Sequence, residues 1–274
     1  MSARQGTVTL SRKKLLVLAG THEARQLVEK LADTGAFEII ASLAGATKAP
    51  LSMAANVRTG GFGGAEGLAE YCRAESVDAL VDVTHPFARH ISRNAVKAAE
   101  MRDIPCFSYE RPPWAAQPGD AWREFASWQD MVDAIPAGCR VFLAGGTASI
   151  EAFRARDDIH LWARALNVSG YNDTDKHHFL NAMPNQDMNA EADLFSKYDI
   201  ELLCCKNAGG RASIAKIEAA RSLGIPIWLL ARAKRENNVP REQIHDNVEQ
   251  LFDALMRFAG HATDAFDNKT ASKS

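Results

Sequence analysis

Asp82, Thr84 and His85 stand at the end of a short apolar run, residues 79–83, just ahead of Pro86 and a helical pattern set by Phe87, Ile91, Ala95 and Ala98. A carboxylate, a hydroxyl and an imidazole at such a joint could orient a polar ligand or move a proton near neutral pH. The run is sized for a buried strand. Pro86 suits the first position of a helix, with Thr84 or His85 as its cap. The joint therefore puts these side chains at the carboxyl end of a strand, beside the N–H groups of a helix start, where open α/β sheets bind ligands. A well-capped turn carrying a solvated histidine is the competing reading.

Other turns carry related chemistry. Residues 15–18 read as a strand that turns through Gly20 and Thr21 into a helix, with His22 and Glu23 in its first turn and Leu27, Val28 and Leu31 on its apolar face. The turn A-G-T-H-E-A lacks the full G-x-G-x-x-G dinucleotide pattern. A glycine among small neighbours still lets backbone amides approach a pyrophosphate. A second strand, residues 37–43, runs into Ser42, Leu43, Ala44, Gly45, Ala46, Thr47 and Lys48. An NAD site would place Asp or Glu there for the ribose hydroxyls. Hydroxyls, a glycine and a lysine suit a 2′-phosphate instead, so a bound dinucleotide would be NADP(H); a simple glycine-containing loop is the alternative. Next, Gly60, Gly61, Gly63 and Gly64 surround Phe62. Such a cluster suits close backbone approach to a ligand, with Phe62 free to cover a flat ring, or else a mobile linker.

The second half repeats the theme. Strands are expected at residues 140–143, 159–163, 201–205 and 225–230, with turns at Thr147, at Lys206 and Asn207, and at Arg232. A short strand is expected near 122–125, a polar loop over 167–189 containing His177 and His178, and an amphipathic helix over 241–259. Strand ends thus gather Arg111, Thr147, Lys206, Arg211 and Arg232, with Arg164 nearby, which describes a site for an extended anionic ligand. No nucleophile constellation, phosphate-binding lysine loop or metal-ligand spacing is present in this pattern. Hydride transfer asks little of side chains beyond orientation.

Bulk properties bound the rest. The chain has 274 residues, 46% hydrophobic and 24% charged, with net charge −2, which points toward neither nucleic acid nor a membrane surface. No apolar run reaches the length of a membrane span and no signal-peptide core is seen. Five cysteines without a C-x-x-C pair suit reduced packing thiols and the cytoplasm; Cys204 and Cys205 should face opposite sides of a strand. The expected organisation is a disordered lead-in over 1–13, an α/β domain over 14–127, a second over 128–260 and a tail over 261–274.

Taken together, A-G-T-x-E-A at residue 19, S-L-A-G at 42, G-G-F-G-G at 60, D-V-T-H-P-F-A at 82, R-P-P-W at 111 and K-N-A-G-G at 206 resemble the precorrin-6A reductase family of cobalamin biosynthesis. The blocks occur in order across nearly the whole folded chain. The resemblance implies two Rossmann-like α/β domains with mostly parallel sheets and a cleft between them. It implies NADPH-dependent reduction of one double bond of a tetrapyrrole macrocycle, giving precorrin-6B. By the same resemblance, Gly20, Thr21, Ser42 to Gly45, the 60–64 loop, Thr84 and His85 would line the cofactor, with Lys206 and Asn207 approaching from the second domain. Independently of the resemblance, His85 is a candidate proton donor, because histidine can donate near neutral pH; holding the turn or a phosphate is the alternative. Departures fall mainly in the second domain: Ala208 replaces a serine, Asn181-Ala182-Met183-Pro184 stands for R-G-P-F, and Arg232-Ala233 for Arg-Pro. A coenzyme-sensing regulator without chemistry and a tetrapyrrole-modifying transferase are the alternatives.

Overall fold

The computed structural model describes residues 12–44, 53–233 and 243–260. Among them, the residues before Arg111 together with 243–260 form one compact unit, and residues 111–233 form another. The first contains β1 (Lys13–Leu18), α1 (His22–Thr34), β2 (Phe37–Leu43), β3 (Asn56–Thr59), α2 (Ala65–Ala74), β4 (Ala79–Asp82), α3 (Arg89–Arg102) and β5 (Cys106–Tyr109). The second contains β6 (Trp122–Phe125), α4 (Trp128–Asp133), β7 (Arg140–Ala144), α5 (Thr147–Arg154), β8 (His160–Ala165), β9 (His177–Asn181), α6 (Met188–Lys197), β10 (Leu202–Lys206), α7 (Ala215–Ser222) and β11 (Ile227–Leu230). β12 (Ile244–His245) and α8 (Val248–Phe258) then rejoin the first.

Each unit holds a six-stranded sheet, ordered β12-β5-β4-β1-β2-β3 and β6-β11-β10-β7-β8-β9. Every pairing is parallel. In each sheet the chain steps outward from a central strand, β1 or β7, and then crosses to its other side at β4 or β10. That reversal opens a crevice at the carboxyl ends of the central pair.

Strands buried on both faces must be apolar at successive positions, and β1 is. Leu15 and Val17 pack with Leu27 and Leu31 of α1 and Leu251 and Leu255 of α8, whereas Leu16 and Leu18 meet Leu68, Ala95 and Ala98 of α2 and α3. Cys204 and Cys205 likewise enter opposite cores. The five cysteines are free thiols, and burial pushes Cys205 up to about 11.

The unit boundaries differ from the contiguous 14–127 and 128–260 division expected from the Pro- and Trp-rich stretch. β6 pairs with β11, so the crossing comes before it, at residue 111. The amphipathic segment after 243 belongs to the first unit, because Leu251 and Leu255 complete that core. It is also shorter than expected: Asn247 accepts a hydrogen bond from the Glu249 N–H and caps α8 at 248. The expected 167–189 loop contains β9, in register with β8 and held by His178 stacking on Trp162, 5.2 Å between centroids. The lead-in up to residue 11 and the tail from 261 lie outside the described residues.

β12 pairs Ile244 with Ser108 and His245 with Tyr109, and the Glu110 N–H donates to the His245 carbonyl at 2.7 Å. Among the described residues His245 Nε2 is buried without a hydrogen-bond partner. Burial, and then Arg257, hold the His245 pKa below its ordinary 6.5, with Asp246 opposing. The unfolded chain therefore binds this proton more readily. The stabilisation is complete above about pH 6.5 and is lost as pH falls through and below that value. Thermal melts are expected to drop between pH 7.5 and 5.5 by less in His245→Gln than in the parent; equal drops would remove His245 as a cause.

Candidate functional site

In the first unit, backbone bonds run past the strand ends and gather the loops. The Ala19 N–H donates to the Ser42 carbonyl (2.9 Å), Gly60 to Leu43 (2.9 Å) and Val83 to Leu18 (3.0 Å). The Thr21 hydroxyl closes the rim by donating to the Val83 carbonyl at 2.8 Å, across the reversal between β1 and β4. The same oxygen accepts the Ala24 N–H at 3.1 Å, capping α1. Gly20, at φ 129°, makes this turn in a region that side chains disfavour. Gly20, Thr21, Ser42, Gly60 and Thr84 are therefore brought to one carboxyl rim, as expected. His22 is exposed, Glu23 is buried in the first turn of α1, and Leu43 and Ala44 continue the rim. Gly45 and Thr47 lie outside the described residues.

At the end of β4, Asp82 is 2% exposed. It accepts both the N–H (3.1 Å) and the hydroxyl (2.6 Å) of Thr84, and Ser92 lies 3.2 Å from that hydroxyl. Thr84 is thus held in a turn. His85 Nδ1 accepts the Phe87 N–H at 3.2 Å, and the His85 carbonyl accepts from Ala88 at 2.7 Å. These two bonds interpose a turn, so α3 begins at Arg89 rather than at Pro86.

The glycine-rich loop differs from expectation. Phe62 does not project as a free cover: it meets Tyr71 edge-on at 5.3 Å and lies under the Arg58 guanidinium at 3.9 Å. Arg58 itself donates to Ser42 Oγ (2.9 Å), the Gly60 carbonyl (3.0 Å) and the Gly61 carbonyl (3.1 Å).

In the second unit, Thr147 starts α5 and donates to the Asn167 carbonyl at 2.7 Å. Lys206, at the end of β10, sits at the same reversal; a methyl added at Gly146 would lie 3.8 Å from its ammonium. Burial lowers the Lys206 pKa below its usual value. Most of the other expected ligand groups make bonds within the unit. Asn207 donates to the Trp114 carbonyl (3.1 Å) and to Glu124 (2.9 Å) and accepts the Trp114 N–H (2.8 Å), which engages both its amide hydrogens. Arg232 donates to the carbonyls of Asn207 (2.8 Å), Arg111 (2.6 Å) and Ala208 (2.6 Å), and Arg111 donates to Ala208 (3.0 Å). Arg164 is buried in a two-pronged pair with Glu191. Only Arg211 of this group is exposed.

The geometry has counterparts among known proteins. The family model described as Precorrin-6x reductase CbiJ/CobK matches residues 14–256. The chain belongs to that family. It is 40% identical over 220 residues to precorrin-6A reductase of Rhodococcus erythropolis, covering 80% of this chain and 89% of the relative. It is 26% identical over 258 residues to cobalt-precorrin-6A reductase of Priestia megaterium, covering 88% and 98%. A solved structure of CobK precorrin-6A reductase matches with a TM-score of 0.83 at 36% identity, covering 91% of this chain and 98% of that one.

At this rim, the side chain that local pattern does not bring forward is Arg58, which bonds Ser42 Oγ and the loop carbonyls. It is the third residue of a four-residue strand with no apolar alternation, so nothing local marks it as pairing with β2. Its register opposite Ser42 is the signal, and that appears only in the sheet.

Proposed function

We propose that this chain reduces one double bond of precorrin-6A to give precorrin-6B in cobalamin biosynthesis, with NADPH as reductant. The observation that carries the reading is the near-full-length match to precorrin-6x reductases over residues 14–256. Identity of 35–40% to relatives named precorrin-6A reductase, against 24–26% to those named for the cobalt form, supports a metal-free substrate.

The first unit's rim suits the cofactor. The start of α1 offers N–H groups behind Gly20 and Thr21 for a pyrophosphate, and Glu23, of the same sign as phosphate, suits a hydroxyl instead. When bound, NADPH supplies the hydride. Thr147, Lys206 and Arg211 at the second rim suit the macrocycle's carboxylates.

We read His85 as presenting an Nε2–H donor toward the reacting groups, and the variants below separate that role from general-acid catalysis. Its Nδ1 accepts the Phe87 N–H, a bond that requires the neutral ring with its proton on Nε2. His85→Ala is expected to slow single-turnover reduction about tenfold, the worth of one hydrogen bond, while His85→Gln, which keeps an N–H donor, stays within about threefold. A loss of roughly 10²-fold or more in both would instead mark general-acid catalysis. An unchanged rate in His85→Ala would leave it no role in the reaction.

The function itself is tested by mixing the protein with precorrin-6A and following absorbance at 340 nm. Consumption of NADPH, with NADH much slower, is expected. Quenching of tryptophan fluorescence by NADPH without turnover would favour a coenzyme sensor. Absence of any response to either coenzyme would overturn the reading.

A further inference from the structure

We propose that Arg58, with Ser42, selects a coenzyme bearing a phosphate on the adenosine 2′ position. The inference rests on the NADPH reading and names the residues that would make the choice.

The parallel register puts Arg58 of β3 directly beside Ser42 of β2, at the carboxyl edge of the sheet. Its guanidinium is fixed on several sides. It donates to Ser42 Oγ and to the carbonyls of Gly60 and Gly61, and it lies over the rings of Phe62 (3.9 Å) and Tyr71 (5.0 Å). An exposed arginine loses rotamer freedom when it grips a ligand; this one has already lost it. Arginine has five N–H donors. Three are engaged by these partners, which leaves two, Nε–H among them, without an acceptor among the described residues. Ser42, 6% exposed, accepts from Arg58 and so still has its own hydroxyl proton to give.

Charge gives the second argument. No carboxylate among the described residues lies within ion-pairing distance of Arg58; it rests on carbonyl oxygens and ring faces. A fixed guanidinium with open donors beside a serine suits a phosphate dianion. An unphosphorylated ribose is ordinarily held by a carboxylate at this strand end, where this chain has Ser42, Leu43 and Ala44. The arrangement therefore rewards the 2′-phosphate and offers the bare diol little.

The competing possibility is that Arg58 only fastens the 60–64 loop to β2. The two are separated by measuring binding of 2′,5′-ADP and 5′-AMP to the whole protein by calorimetry, for the parent, Arg58→Ala, Arg58→Lys and Ser42→Ala. The parent is expected to prefer 2′,5′-ADP. Arg58→Ala should weaken 2′,5′-ADP roughly 30-fold, in line with loss of charged hydrogen bonds, with 5′-AMP changed less than about twofold. Arg58→Lys, which keeps the charge but not the fork, should fall between, and Ser42→Ala should weaken 2′,5′-ADP several-fold at an unaltered melting temperature. Equal weakening of both nucleotides in Arg58→Ala, or retained preference in all three variants, would overturn the assignment. A parent that binds 5′-AMP and 2′,5′-ADP alike would overturn the NADPH reading itself.

Discussion

Glu191→Ala is expected to destabilise the protein by about 3–5 kcal/mol, because it strands a buried guanidinium. Glu191 is fully buried and Arg164 is 7% exposed. Their two bonds measure 2.7 and 3.1 Å, and Glu191 Oε1 also accepts the Asn185 N–H at 2.8 Å. Arg164 lies 5.0 Å from the centre of the Phe142 ring, so water cannot readily replace the lost carboxylate. The pair ties α6 and the segment ahead of it to β8. Urea unfolding checks the value. Arg164→Met combined with Glu191→Leu should recover most of the loss, since an apolar pair of similar volume avoids the desolvation of two charges. A single variant within about 1 kcal/mol of the parent would mean that the pair behaves like a solvated one.

Gly209→Ala is expected to be nearly as damaging, by about 3 kcal/mol, from backbone strain and overlap together. Gly209 has φ +64°, and an added methyl would come 2.0 Å from the Pro112 carbonyl oxygen and 2.5 Å from Arg232. Neither neighbour can withdraw easily, because Arg232 is the clasp that joins residues 111, 207 and 208. Gly138→Ala is the control. Its φ is +78° with open space around the new methyl, so it should lose only the conformational share, about 1–2 kcal/mol. Melting temperatures of the two variants check this, and equal shifts would show that the overlap is relieved at no consequence. Lys206 ends the strand that leads into this loop, so if it contacts the macrocycle's carboxylates as proposed, Gly209→Ala should also weaken substrate binding.

Much of the architecture was legible because it rests on patterns confined to a few residues. The apolar run of β1, the 122–125 strand and the division of Cys204 from Cys205 are short-range consequences of pleat and burial. Residues 20, 42 and 84 of the rim were legible for a similar reason: each lies at, or within two residues of, the end of a recognisable strand, whereas Gly60 was marked only by its glycine cluster. What escaped depends on partners far along the chain. β12 is two residues long and exists only by pairing with β5. β9 is polar except at Phe179 and Leu180, and takes its form from β8. The start of α3 differs because the His85 ring nitrogen and carbonyl hold the Phe87 and Ala88 N–H groups in an intervening turn, which local pattern does not distinguish from a helix cap. For the arginines, sequence does not distinguish a cation facing a substrate from one facing carbonyl oxygens. Arg111 and Arg232 bond backbone carbonyls within their own unit, and Arg164 pairs with a carboxylate 27 residues away.

The return of β12 and α8 to the first sheet sets an order of assembly. Residues 111–233 contain all six strands of their own sheet and can close upon themselves while synthesis continues. The first unit cannot, since Leu251 and Leu255 of its core are made after every residue of the other unit. A nascent chain halted near residue 240 would therefore carry a finished second unit attached to an exposed, incompletely covered sheet. Nicks or truncations late in the gene would be felt first at the end of the protein encoded earliest.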